Sequence, residues 1–266
     1  AVEMNKRAFG WGRLAALDRA RVEQAAGLRQ TASADVAALP LDDRRLSRSL
    51  EDVIERRMKF LTGYQNARYA ARYRALVDQA RAAEQQRAPG RSGLAEAVAR
   101  HAFKLMAYKD EYEVARLYTS GEFERQIRET FGGDFKLRFH LAPPLLAKTD
   151  ADGHLRKAEY GPWVFPAFKL LAGLRFLRGT PLDVFGRTAE RRLERRLIED
   201  YFDCVEELLA HLDADNHALA VTIASIPDAI RGYGHVKEDR YARARKRWDE
   251  LLAQWRRPRG ESARAA

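Results

Sequence analysis

The sequence predicts a mainly α, multi-helix domain with a small antiparallel β-hairpin around residues 135–160. Apolar residues recur at three- and four-residue spacing through most of the chain, as Ile54, Met58, Leu61 and Tyr64 do, which is the period of a helix with one buried face. Phe135–Leu141 (FKLRFHL) breaks that pattern: Phe135, Leu137, Phe139 and Leu141 alternate with Lys136, Arg138 and His140, the period-2 signature of a half-buried strand. Asp150–Gly153 supplies a turn after it, and Leu155–Tyr160 the returning strand.

The elements follow in order. Residues 1–25 read as a helix, and 26–45, with Pro40 and Asp42–Asp43, as a linker. A helical domain then spans 46–257. Its first helix runs from Leu46 to Gln86 and stops at Ala88-Pro89-Gly90. A second starts near Ser92, and the spacing Thr119-x-x-Glu122 predicts a capping box that opens a helix carrying Phe123, Ile127 and Phe131. After the hairpin, helices are expected over 187–212, 214–226 and 238–255, with a disordered tail at 258–266.

Hydrophobic residues make up 46% of the chain and charged ones 32%, a balance that suits a globular core rather than a disordered chain. No apolar run approaches the roughly 18–20 residues of a membrane span, and the first residues lack the succession typical of a signal peptide. Cytoplasm and no membrane are therefore the expectations. One cysteine, Cys204, excludes an internal disulfide and a cluster held by this chain alone. It sits beside Ile198, Tyr201, Phe202, Val205 and Leu208, where a thiol reads as a small buried hydrophobe.

Each candidate for chemistry has a plainer reading beside it. Asp150-Ala-Asp152-Gly153 lacks the later glycine and glutamate of a calcium loop and reads as a turn. The six histidines form no HxH, HxxxH or HExxH pair, so no metal site is expected. Tyr64–Tyr73 alternates aromatics with arginines, a mixture that can bind single-stranded nucleic acid. Tyr69 and Tyr73 nevertheless share one helical stripe and Arg68 and Arg72 the next, as when a helix buries tyrosine bodies and solvates guanidinium heads. In Lys104–Tyr118, Lys109–Glu113 and Glu113–Arg116 are spaced to pair with each other. Ile230–Lys237 (IRGYGHVK) is the most suggestive segment. Two glycines free the backbone there, and Arg231, His235 and Lys237 can gather round an anion such as a phosphate; the plainer reading is a helix C-cap with basic residues. Net charge is +10, and Arg240–Arg259 carries the densest share, which makes a free-standing nucleic-acid-binding protein the alternative reading.

Several segments, taken together and in order, resemble the C-terminal region of the fused indolepyruvate ferredoxin oxidoreductases, members of the 2-oxoacid:ferredoxin oxidoreductase family. They are Leu61–Val77 (LTGYQNARYAARYRALV), Phe103–Tyr118 (FKLMAYKDEYEVARLY), Phe139–Leu146 (FHLAPPLL), Gly161–Arg192 (GPWVFPAFKLLAGLRFLRGTPLDVFGRTAERR) and IRGYGHVK. The similarity covers roughly Leu46 to Trp255, and residues 1–25 look like the tail helix of the preceding domain of such an enzyme. The resemblance implies a parent that oxidatively decarboxylates an aryl 2-oxoacid to an acyl-CoA. It implies thiamine diphosphate, Mg and 4Fe-4S iron–sulfur clusters in that parent, with CoA and ferredoxin as partners and a homo-oligomeric assembly. No thiamine-diphosphate motif and no cluster cysteines occur in this sequence, Gly133-Asp134-Phe135 being only a fragment. No catalytic residue and no cofactor is therefore expected here. What is expected is an accessory domain that packs against the oxidoreductase's other domains, with Arg231, His235 and Lys237 as contacts for CoA phosphates or acidic ferredoxin.

Overall fold

A computed structural model describes residues 2–25, 49–131, 136–141, 158–232 and 235–257. The chain divides into two compact units, Ala1–Ser47 and Arg48–Ala266. In the first, α1 (Val2–Leu17) and α2 (Arg19–Ala25) meet at a break where Asp18 Oδ1 accepts a hydrogen bond from Arg21 N at 3.0 Å. Phe9, Trp11 and Leu17 are exposed. The linker expected at 26–45 and the tail at 258–266 lie outside the described residues.

The second unit is mainly helical with a small antiparallel hairpin, as the periodicity predicts. The helix expected over 46–86 is two helices, α3 (Leu50–Tyr64) and α4 (Ala67–Arg87). The break has a local cause: Asn66 adopts extended backbone and its side chain accepts from Tyr69 N at 2.9 Å, so it caps a new helix. A second correction concerns the expected Thr119–Glu122 box. Thr119 ends α6 (Glu111–Thr119) and donates to Ala115 O, while Gly121, at φ +83°, turns the chain into α7 (Glu122–Thr130). The box that forms is Ser49–Asp52 at the start of α3, where each side chain accepts the other's backbone N–H.

α5 (Leu94–Met106) is the centre of the main core and packs against α3, α4, α9 (Ala189–Ala210) and α10 (His217–Ala224). Four neighbours can approach because Ala95, Ala97, Ala99 and Ala102 are all buried and small. Its N-cap, Gly93, has no side chain to accept the first N–H groups. Glu84 of α4 replaces one: Oε1 accepts from Leu94 N at 2.7 Å and Oε2 from Ala95 N at 3.2 Å. His217, the first residue of α10, holds the same carboxylate at 2.6 Å. Residues from three helices thus satisfy one another inside the core.

α11 (His235–Trp255) closes that core with Trp248, whose indole N–H donates to Cys204 Sγ at 3.2 Å. Burial pushes the Cys204 thiol up to about 11, so the residue is an inert hydrophobe, as its setting predicts.

A smaller aromatic core lies between α6 (Glu111–Thr119), α8 (Val164–Gly173) and the hairpin. Strand β1 (Phe139–Leu141) pairs antiparallel with β2 (Ala158–Tyr160), Phe139 opposite Tyr160. Alternation buries Phe139 and exposes His140. The Phe139 ring meets Tyr118, Phe165 and Phe168 edge to face at 5.1–5.6 Å.

Glu84→Ala removes two acceptors from α5 and leaves His217 unpaired, so it is expected to destabilise the chain by about 2–4 kcal/mol. Urea unfolding measures this; a loss below about 0.5 kcal/mol would show that α5 does not depend on the borrowed cap.

Candidate functional site

Three chain segments meet at one buried guanidinium. α3 ends at Tyr64, which leaves its last carbonyls without helical partners, and α6 begins after Asp110, which must accept N–H groups. Arg178 lies between them at the end of the 3-10 turn Leu174–Leu177. Its Nη1 donates to Tyr64 O at 2.6 Å, and Nε and Nη2 donate to Asp110 Oδ2 and Oδ1 at 2.5 and 2.8 Å. Asp110 Oδ1 also accepts from Glu113 N at 2.8 Å, so it is both N-cap and counter-ion. The guanidinium lies 3.7 Å from the centre of the Tyr64 ring, a cation–π contact strengthened by desolvation. Both side chains are nearly inaccessible, at 3% for Arg178 and 4% for Asp110. Burial disfavours the charge on Arg178, but the Asp110 carboxylate outweighs it and holds the pKa above the usual arginine value.

Next to this pair is a second buried carboxylate. Gly179, at φ +77°, turns its N–H toward Asp183 Oδ2 at 2.8 Å. Asp183 Oδ1 accepts from Gly186 N at 2.9 Å and from the Tyr112 hydroxyl at 3.3 Å. Arg195 of α9 reaches into the same loop, where Nη2 donates to Gly186 O at 2.6 Å and Nη1 lies 3.8 Å from Asp183 Oδ2. That Nη1 is buried and makes no hydrogen bond.

A cleft of about 430 Å³ opens beside these pairs, between the start of α4, the Arg178–Gly179 turn and α9. Tyr69, Tyr108 and Ile198 supply its apolar surface. Tyr69 is fixed because its hydroxyl donates to Met106 O at 2.9 Å. Arg72 and Glu199 also line the cleft and pair with each other, the Arg72 guanidinium lying 4.2 Å from the Phe202 ring centre. Gln65, Arg195 and Arg196 bring donors to it. Burial pushes the Tyr108 phenol up to about 12, which keeps it a protonated donor.

The residues singled out in the sequence stand elsewhere. Arg231 is exposed and donates to Asp228, from Nε to the carbonyl at 2.8 Å and from Nη2 to Oδ2 at 2.5 Å. Lys104 holds the same turn through Pro227 O and Asp228 O at 2.7 and 3.0 Å. The side chains of His235 and Lys237 lie outside the described residues. Of Arg240–Arg259, Arg245 pairs with Asp200 and Asp249, Arg247 with Glu250 and Arg256 with Glu207. Tyr73 is buried and donates to Ala99 O at 3.2 Å, so this tyrosine of the stripe faces the core.

In Lys104–Tyr118, Glu113 pairs with Arg116 at 2.7 Å as its spacing predicts. The Lys109–Glu113 pair does not form, because Lys109 is exposed while Glu113 is buried beside Arg116. Asp110 and Glu111 instead find arginines in distant sequence, Arg178 and Arg191. Among the described residues no three His, Cys, Asp or Glu side chains gather as a metal would require.

The model of a family of unknown function, DUF6537, matches residues 50–250, which include every element of the Arg178 cluster and the cleft. No curated protein and no solved structure matches the chain.

Two measurements check this chemistry. Arg178→Met leaves Asp110 buried and unpaired, and is expected to cost about 3–5 kcal/mol of unfolding free energy, with Arg178→Met/Asp110→Asn recovering part of it. A single-variant loss under about 1 kcal/mol would show that the pair does not join the segments. The second concerns His101, which is buried with Nδ1 unbonded. Burial pushes its pKa down to about 4 from 6.5, with Asp228 opposing and Lys104, Arg100 and Arg57 adding to the shift. A base with a depressed folded pKa contributes stability that is fully present above pH 6.5 and is lost as pH falls toward 4. Relative to wild type, His101→Gln is therefore expected to lose less stability across that window in urea titrations; parallel profiles would contradict the assignment.

Proposed function

Starting from a chain that belongs to the family of unknown function DUF6537, we propose that it is the accessory, non-catalytic helical domain of a 2-oxoacid:ferredoxin oxidoreductase of the indolepyruvate type. One observation carries the reading. Three of the segments that resemble that enzyme's C-terminal region converge on the Arg178 cluster. Tyr64 comes from Leu61–Val77, Asp110 and Tyr112 from Phe103–Tyr118, and Arg178 and Asp183 from Gly161–Arg192. Segments far apart in sequence resemble one region at the residues that join them in space, which supports a shared tertiary framework rather than a chance likeness of helices.

In this reading the domain supplies a rigid scaffold, and the decarboxylation and electron transfer belong to other domains of the enzyme. Packing against those domains and against a second copy is its main work. Arg231, His235 and Lys237 remain the proposed contacts for CoA phosphates or ferredoxin, in line with the exposure of Arg231.

The test compares the full-length parent enzyme with a version lacking residues 46–266, by indolepyruvate- and CoA-dependent reduction of ferredoxin or a viologen dye. Loss of activity with cofactors retained is the expected result, as is loss of dimer. Unchanged activity and assembly in the shortened enzyme would overturn the accessory role. Absence of any 2-oxoacid activity in both would overturn the family reading. In that second case a gel-retardation titration over Arg240–Arg259 variants becomes the informative measurement.

A further inference from the structure

Most of the donors around the cleft at the Arg178–Gly179 turn are consumed by the fold, but not all. Tyr108, Gln65 and Arg196 line it, and the polar side-chain atoms of none of them have a hydrogen-bond partner among the described residues. Arg195 Nη1, buried and unbonded, belongs to a fourth lining residue. Glu199 is the one carboxylate among the lining residues, and both its oxygens are held by Arg72. Unpaired donors round a concavity, one of them buried, can receive an acceptor from outside.

Charge narrows what that acceptor is. Arg72, Arg178, Arg195 and Arg196 face Glu199 in the wall and Asp110 and Asp183 behind it, which leaves one positive charge. Arg196 carries it, since the other three lie within ion-pair distance of a carboxylate. A polyphosphate would need more compensation than one guanidinium gives. Shape narrows it further. The volume of about 430 Å³ falls in the range of small-molecule sites, roughly 300–1,000 Å³, and is large for a bare ion. The Tyr69 and Tyr108 rings, fixed by burial, offer apolar surface on which a flat body can rest.

We propose that this cleft binds an organic monoanion: a planar, mostly apolar body carrying one carboxylate or similarly charged oxyanion, received by Arg196, with Tyr108 and Gln65 completing its hydrogen bonds. The site belongs to this chain alone and does not depend on the oxidoreductase reading. An accessory scaffold and a free-standing protein would present it equally.

Isothermal titration of the 266-residue chain with naphthoate, and with the neutral isostere naphthamide, tests it at constant ionic strength. Saturable naphthoate binding at or below about millimolar concentration is expected, with naphthamide at least tenfold weaker. Arg196→Gln is expected to weaken naphthoate roughly tenfold and Tyr108→Phe by a few-fold. Arg192→Gln removes an equal charge from an exposed position of α9 that does not line the cleft, and is expected to change little. Arg196 is exposed and has no partner among the described residues, so its replacement is expected to leave folding intact, which the melting temperature checks. Absence of saturable binding, equal binding of naphthamide, or equal effects of Arg196→Gln and Arg192→Gln would each overturn the proposal. So would inorganic phosphate binding as tightly as naphthoate, because the site would then select charge without the planar body.

Discussion

A single desolvated guanidinium holds the second unit's parts in register. Arg178 takes a terminal carbonyl of α3, the N-cap carboxylate of α6 and the face of the Tyr64 ring. Each of those groups is costly to bury alone: a helix end with open carbonyls, an aspartate, and a cation. Brought together they satisfy one another, and the arrangement tolerates little displacement, because a bidentate pair fixes angle as well as distance. Through Asp110 the cluster sets where α6 starts, and α6 then reaches the aromatic core of the hairpin and α8. Among the described residues the two apolar clusters are distinct, and polar contacts such as Arg178–Asp110 and Arg191–Glu111 tie α6 to the rest of the unit.

The same economy appears at Glu84. α5 needs a close approach from four neighbours, which favours small residues along it and a glycine at its N-cap. A glycine there cannot cap, so the acceptor comes from α4 and is itself steadied by His217. In both places a demand created by one helix end is met by a side chain remote in sequence. Buried ion pairs of this kind add less to stability than their Coulomb attraction suggests, since desolvation offsets most of it. Their contribution is to make one arrangement much better than its alternatives.

The cleft follows from this framework. Arg178 and Asp183 fix the Gly179 turn, Tyr69 is held by the end of α5, the Tyr108 carbonyl accepts from the Tyr64 hydroxyl, and α9 brings Arg195 and Arg196. With most charges around it neutralised by the fold, one uncompensated arginine and a few open donors remain beside aromatic surface.

By itself the sequence determined the helices, the hairpin alternation at Phe139–Leu141, the buried state of Cys204 and the pairing of Glu113 with Arg116. These depend on residues a few positions apart, and periodicity reports such neighbours directly. The break at Asn66 was not read from the sequence, because the helical period continues on both sides of it and only the structure shows its side chain capping a new helix. Sequence could not tell which of many arginines and acids matter. Forty-eight basic and thirty-eight acidic residues offer countless plausible pairs, and local spacing favours those at three and four residues. Arg178 and Asp110 are 68 positions apart, and Glu84 and His217 are 133 apart. Only tertiary structure selects them, because burial decides which charges must be paired at all, and burial is a property of the packed chain.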